Sequence, residues 1–149
     1  MRPLDGVRIL EVAMYGFVPS CGAVLREWGV LRSSRSSTRS PATRSADCAR
    51  PDRCGSKATR IPMWSMPIGG KRSIGLDMSV PEGKEVLLEL ARRSDVFLTS
   101  FLPGHRTKFG IDVDDIRAVN PKIIYARGSA FGPRGQEAEK GGYDMTAFW

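Results

Sequence analysis

Long apolar runs are missing from this chain of 149 residues. No stretch approaches the roughly 20 apolar residues that a membrane-spanning helix needs, so we expect no association with membranes. Residues 1–13 also lack the apolar core of a secretory signal peptide. We therefore expect a cytoplasmic protein.

Cysteine and histidine are scarce as well, with three cysteines and one histidine. An odd number of cysteines disfavours a framework of disulfides. Cys48 and Cys54 could be considered as zinc ligands, but His105 is the only imidazole that could join them. The sequence therefore predicts no metal site. We expect His105 to cap the helix that follows residues 102–104.

Acidic residues are too few to balance the basic ones, and the formal net charge is +7. Most of the excess lies in residues 31–62, which hold eight basic residues and two acidic ones. The rest of the chain is close to neutral, so the basicity belongs to this segment. A basic arm for nucleic acid is one interpretation, but the segment has no aromatic residue on which bases could stack. Nucleic acid is therefore not the expected partner.

The same Arg/Ser-rich segment lacks any hydrophobic period. It divides the chain into a first strand–helix unit at residues 1–30, an aberrant segment at 31–62 that we expect to be disordered, and a remainder at 63–149. No stretch between Gly29 and Ser73 is expected to form a strand.

Apolar runs of strand length alternate with helical patterns in the rest of the chain. Strands are predicted within residues 7–13, 71–79, 95–101 and 122–132, and helices within 19–29, 79–95 and 112–120. This order predicts an α/β, Rossmann-like fold with a mainly parallel, doubly wound sheet. Ligands of such sheets bind beyond the carboxyl ends of the strands, so a site is expected in the loops at 15–19, 100–104 and 129–142.

The helix predicted within residues 79–95 carries the clearest local signals. Ser79 and Glu82 have the spacing of a capping box, and Pro81 suits a first turn. The buried stripe is expected to consist of Val86, Leu87 and Leu90.

Both flanks of the Arg/Ser-rich segment carry a series of motifs: "PLDGVRILEV" at 3–12, "GKRSIGLDMSVPEGKEVLLELARRSDVFLTSFLPG" at 70–104, "FGIDVDDIRAVNPKIIYARGSAFGP" at 109–133 and "GGYD" at 141–144. As a series, these motifs resemble the class III CoA-transferases, the family of formyl-CoA and carnitine CoA-transferases. The resemblance covers only the N-terminal part of the family's usual chain. We therefore expect a truncated product with an incomplete sheet.

The Arg/Ser-rich segment departs completely from the resemblance. Members of the family have there a second strand of the type G-A-D-V-I-K-V-E-H-P. Residues 36–48 can be encoded by codons that, read in a shifted frame, give EHPVTGDAQRGL. We interpret the segment as an out-of-frame translation, with the ordinary frame regained by about Met63.

The resemblance implies transfer of CoA from an acyl-CoA to a carboxylate acceptor. In this chemistry an active-site aspartate attacks the thioester and forms an aspartyl anhydride. By the matching of motifs that aspartate falls beyond Trp149, so this chain is expected to be inactive alone. Tyr143 and Asp144 mark the neighbourhood of the site. Acyl-CoA racemases of the family carry a histidine acid/base in place of Tyr143, which favours transfer here and leaves racemisation as the alternative.

The resemblance also implies which residues bind coenzyme A. Lys71 and Arg72 would meet its phosphates, or else form a solvated edge. Phe101 would pack on adenine or pantetheine, or else belong to the core. Pro103 and Gly104 would shape a loop that lets the ligand approach the backbone. Intact members of the family form homodimers, and an assembly fragment without catalysis is a further alternative.

Overall fold

The computed structural model describes residues 3–14, 16–29, 32–37 and 71–142, and of residues 32–37 only the backbone. Strands and helices alternate over most of these segments. The strands are β1 (Arg8–Val12), β2 (Arg32–Ser37), β3 (Arg72–Gly75), β4 (Val96–Thr99) and β5 (Ile124–Arg127). The helices are α1 (Phe17–Glu27), α2 (Pro81–Arg92), α3 (Pro103–Phe109) and α4 (Val113–Val119).

All five strands form one sheet in the order β3-β2-β1-β4-β5, and each neighbouring pair is parallel. The chain moves outward from β1 to β3 and then returns to the other side of β1 with β4. This reversal places a topological switch point between β1 and β4. The predicted Rossmann-like, doubly wound parallel sheet is confirmed.

The expectation that no strand forms between Gly29 and Ser73 is wrong. Residues Arg32–Ser37 form β2, which pairs with β1 on one side and with β3 on the other. Their sequence, RSSRSS, has no apolar residue, so hydrophobic periodicity could not reveal the strand. The strand is instead defined by its backbone hydrogen bonds to the two neighbouring strands, β1 and β3. The disorder expected for residues 38–62 concerns positions outside the described residues.

The two faces of the sheet bury separate apolar clusters, as the alternation of side chains along β1 requires. Leu10 and Val12 lie on the face covered by α2, α3 and α4. Ile9 lies on the opposite face, under α1. The larger cluster consists of Leu10, Val12, Met78, Leu87, Ala91, Phe97, Phe101, Ile111, Ile116 and Ile123. The smaller cluster consists of Ile9, Ala13, Val18 and Leu98.

The capping box predicted for α2 is wrong, although the helix and the first-turn position of Pro81 are confirmed. Val80 is the N-cap and no side chain caps it. The Ser79 hydroxyl instead donates to Asp77 Oδ1 at 2.5 Å, in the turn at residues 78–79 that precedes the N-cap. The residues of α2 that are fully buried are Gly83, Leu87 and Ala91, whereas Val86 of the predicted stripe is exposed.

Helices α3 and α4 are joined by a short turn at Gly110. The expectation that His105 caps α3 is wrong, because the helix begins at Pro103 and His105 lies inside its first turn. The Asp112 start of α4 is confirmed: its side chain accepts from the helix backbone while Asp115 accepts from the Asp112 N–H.

No helix within the described segments is long and apolar enough to cross a membrane.

Candidate functional site

Side-chain contacts tie the loops after β1 and β4 together at the switch point. The Met14 N–H donates to Ser100 Oγ at 2.9 Å, and the Ser100 hydroxyl lies 3.5 Å from the Met14 carbonyl oxygen, to which it donates. Beside it, the Thr99 Oγ1 atom accepts from the Phe101 N–H at 3.1 Å. The contact between Met14 and Ser100 therefore fixes the starts of the loops after β1 and β4, both of which are expected to bind a ligand.

The first turn of α1 follows directly from the β1 loop. Gly16 is the N-cap, and among the described residues no side chain caps the helix and none in its first turn is acidic. The backbone N–H groups and the positive end of the helix dipole therefore lie at the carboxyl edge of the sheet. Phe17 stands next to them with 76% of its surface exposed. The arrangement offers an exposed aromatic ring beside a positive helix end.

Gly128, directly after β5, completes this part of the edge. Its N–H donates to the Thr99 carbonyl at 3.0 Å. A Cβ at this position would lie 2.7 Å from Val18 Cγ2 and 2.8 Å from Phe17 Cε1, so only glycine lets the loop approach α1 this closely. Sequence reasoning missed Phe17 and Gly128. A signal did exist, since Phe17 lies in the loop predicted at 15–19 and Gly128 directly precedes the loop predicted at 129–142.

Phe101 belongs to the apolar core. It is 6% exposed, and its ring contacts those of Phe109 and His105 edge to face, with centroids 5.8 Å and 6.3 Å away. The Phe101 carbonyl accepts from the buried Arg106 guanidinium at 3.0 Å, and Arg106 also pairs with Asp112 at 3.3 Å. These contacts favour the core interpretation of Phe101 and make its backbone a fixed support for the loop.

Pro103 and Gly104 form the first turn of α3. The Gly104 N–H donates to Glu139 Oε2 at 3.1 Å, which connects the loop after β4 to the loop after β5. A carboxylate thus lies at the backbone expected to meet a ligand. Any ligand that uses this N–H has to replace Glu139.

Lys71 and Arg72 do not act together on one ligand in this structure. The Lys71 ammonium lies under α1, 2.5 Å from Glu11 Oε2 and 2.6 Å from the Pro19 carbonyl oxygen, and its side chain is 2% exposed. Arg72 is exposed and pairs in register with Ser34, the partner of Leu10, which places it on the other face. The solvated-edge interpretation of Lys71 is therefore wrong, and its burial argues against contact with a phosphate.

Arg127 is a basic residue that sequence reasoning missed. It ends β5 at the carboxyl edge, pairs in register with Thr99 and is exposed. Two residues earlier, burial raises the pKa of Tyr125 to about 12, and the Tyr125 hydroxyl donates to the Ile111 carbonyl at 2.8 Å. Tyr125 thus stays protonated at neutral pH and serves the core, while Arg127 is available to an anion.

The remaining predicted site residues, Tyr143 and Asp144, lie outside the described residues. Within the described ranges no cluster of three or more His, Cys, Asp or Glu residues could hold a metal ion. Cys48 and Cys54 are also outside those ranges.

Comparison with known proteins gives this geometry its context. A probable fatty acyl-CoA transferase of Mycobacterium tuberculosis is 32% identical over 146 residues, which are 97% of this chain and 36% of that protein. The alpha-methylacyl-CoA racemase of Mus musculus is 32% identical over 143 residues, 96% of this chain and 32% of the racemase. An orthorhombic crystal structure of the M. tuberculosis protein superposes with a TM-score of 0.76 at 31% identity, covering 97% of this chain and 37% of that one.

This chain spans about a third of the length of these relatives. The family model of CoA-transferase family III matches residues 4–148, so it extends across the Arg/Ser-rich segment as well as its flanks. The parallel sheet, its switch point and the sequence match agree, and the chain belongs to CoA-transferase family III.

Proposed function

We propose that this chain forms the CoA-binding, N-terminal part of an acyl-CoA:carboxylate CoA-transferase. The observation that carries the proposal is the family match over residues 4–148. The geometry supports it, because the exposed Phe17, the positive end of α1 and the exposed Arg127 all lie at the carboxyl edge of the sheet. An aromatic ring suits adenine or the pantetheine arm, and an arginine with a helix end suits phosphate.

The described loops would hold and orient the ligand. Ser100 and Met14 fix the two central loops, and Gly128 keeps the third against Phe17. In the chemical step, the aspartate carboxylate attacks the donor thioester and forms a mixed anhydride as the CoA thiolate leaves. The acceptor carboxylate then attacks the aspartyl carbonyl and displaces the donor carboxylate, and the thiolate attacks the acceptor's acyl carbon, which forms the new acyl-CoA and frees the aspartate. We expect this aspartate outside the described residues, so ligand binding, not turnover, is the first property to measure.

Titration calorimetry with coenzyme A tests the proposal. Wild-type protein should bind CoA, and Phe17→Ala should weaken binding about tenfold, since an aromatic contact on a base contributes about 1–3 kcal/mol. Trp28→Ala is the matched control, because Trp28 is also an exposed aromatic, 56% exposed, but it is the C-cap residue at the far end of α1. Absence of CoA binding, or equal losses in the two variants, would overturn the proposal.

Racemisation is the second candidate, and one observation favours it: the racemase relative is as similar to this chain, at 32% identity, as the transferase relative. A racemase removes the α-proton of its acyl-CoA. Incorporation of deuterium at the α-carbon in D₂O, measured by mass spectrometry, would indicate racemisation. Conversion of an isotopically labelled acceptor carboxylate into its CoA ester would indicate transfer. The homodimer and a cytoplasmic location stay predictions.

A further inference from the structure

We propose that Lys71 and Glu11 are a positioning pair that holds the first turn of α1 at the switch point, and that Lys71 is not a phosphate ligand. The proposal rests on the proposed function in one respect, since that turn is the place assigned to CoA. Its test includes a measurement that does not depend on CoA.

The pair is a buried, hydrogen-bonded ion pair. Lys71 Nζ donates to Glu11 Oε2 at 2.5 Å and to the Pro19 carbonyl oxygen at 2.6 Å. The two side chains are 2% and 0% exposed. Pro19 lies in the first turn of α1, so one ammonium group joins the helix to the central strand. A buried charge of either sign would be costly alone, and each is compensated here by the other.

Gly22 of α1 provides the space for this pair. A Cβ there would clash with Glu11 Oε2 and would lie 2.9 Å from Lys71 Nζ. Glycine in the middle of a helix makes the helix less stable than alanine would. The helix has a glycine at the position where any larger side chain would displace the ion pair.

The pair also bridges β2, the strand whose sequence contains no apolar residue. Glu11 pairs in register with Arg35, and Arg35 pairs with Ser73, so β2 separates Glu11 from the strand that follows Lys71. Lys71 directly precedes β3 and reaches across β2 to β1. The position of α1 is thus coupled to the outer strand through this contact.

Positioning and phosphate binding predict different patterns in a double-mutant cycle. If the pair positions α1, removal of either charge leaves the other buried without this counter-charge, and removal of both relieves that penalty. If Lys71 binds phosphate, Lys71→Met weakens CoA binding, Glu11→Gln does not, and the double variant stays as weak as Lys71→Met.

The first measurement is hydrogen exchange at the Ser20 amide, which donates to the Gly16 carbonyl at 2.8 Å in the first turn of α1. Ile116, whose amide donates to Asp112 in α4, serves as reference for global unfolding. We expect exchange at Ser20 to accelerate about tenfold or more relative to Ile116 in Glu11→Gln and in Lys71→Met. It should return most of the way to the wild-type rate in Glu11→Gln/Lys71→Met. Gly22→Ala should resemble the single variants.

The second measurement is CoA affinity in the same four proteins. Both single variants should bind CoA about tenfold more weakly, and the double variant should recover. The matched control is the exposed ion pair of Glu89 and Arg93 in α2, whose neutralisation should change neither Ser20 exchange nor CoA affinity.

Each outcome has a defined meaning. Unchanged Ser20 exchange in Glu11→Gln, or additive effects in the double variant, would overturn the positioning pair. Recovery of Ser20 exchange without recovery of CoA affinity would overturn the exclusion of phosphate contact. If wild-type protein binds no CoA, the proposed function fails, and the exchange pattern still decides whether the pair positions α1.

Discussion

The sheet is stabilised differently on the two sides of its switch point. On one side, β4 buries three of its four residues and stacks Phe97 on Tyr125 of β5, with ring centroids 5.2 Å apart. On the other side, β2 has the sequence RSSRSS and β3 has one half-buried residue among three exposed ones. Among the described contacts, apolar packing stabilises the first side, whereas backbone hydrogen bonds and the pair of Glu11 with Lys71 stabilise the second.

This difference shows that backbone pairing can define where a strand lies, whereas side-chain packing determines how stable the strand is. Parallel pairing on both edges is enough to define the position of β2. Strands buried in parallel sheets are usually rich in Val, Ile and Leu, because both of their faces are covered. We therefore expect the β2–β3 side to unfold locally before the β4–β5 side.

Removing a core aromatic tests the packed side and should have the largest effect. Phe97→Ala should lower the free energy of unfolding by about 3–5 kcal/mol, because Phe97 is fully buried in the larger cluster. Ile74→Ala, at the half-buried position of β3, should cost only about 1 kcal/mol. Urea denaturation measures both. Equal costs would mean that the two sides are packed alike.

Adding apolar residues to β2 should have the next largest effect, and in the opposite direction. Ser33 and Ser34 occupy the register positions beside Ile9 and Leu10. Ser33→Val with Ser34→Ile should raise the free energy of unfolding by about 1–2 kcal/mol, because both positions lie in a strand flanked on both sides. Ser73→Val on the exposed edge strand is the control and should change little. A loss of stability in the double variant would contradict this account of β2.

Removing a helix cap should have a smaller effect on the packed side. Asp112→Ala should cost about 1 kcal/mol, because the carboxylate caps α4 and also pairs with Arg106. Asp114→Ala, in the same first turn but outside the cap, is the control and should cost a few tenths of a kcal/mol. Similar losses in the two variants, measured by thermal unfolding, would show that the cap does not matter.

The smallest effect concerns pH. Burial raises the pKa of Tyr125 to about 12, above its ordinary value of 10. The folded protein therefore holds this proton more tightly than the unfolded chain, so its contribution is complete below pH 10 and is lost as the pH rises from 10 to 12. Tyr125→Phe should remove this part of the alkaline loss of stability. If ultraviolet titration gave Tyr125 an ordinary pKa, the effect of partial burial on its hydroxyl would be contradicted.

Periodicity and turn chemistry predicted most of the fold. The strands at Arg8–Val12, Val96–Thr99 and Ile124–Arg127 are apolar enough to be recognised, and Asp112 marks the start of α4. Strand β2 could not be predicted, because its arginines and serines carry no hydrophobic pattern and the neighbouring strands define its place. The capping box of α2 failed because Ser79 bonds to Asp77 instead of to the helix.

The location of the candidate site was predictable, but its contacts were not. The rule for parallel sheets places ligands beyond the strand ends, and the loops after β1, β4 and β5 meet there. The rule does not say that Ser100 binds the Met14 backbone or that Lys71 is buried against Glu11. Those pairings join residues 60 or more positions apart, and only the folded sheet brings them together.

Gly22 has a consequence for how relatives of this chain can vary. Its missing side chain leaves room for Glu11 and Lys71, so positions 11, 22 and 71 share one fixed volume. A relative with alanine or a larger residue at position 22 has to shorten or lose one of the two charged side chains, and then the other. These three positions should therefore change together across an alignment: a larger residue at position 22 should accompany the loss of the charges at positions 11 and 71.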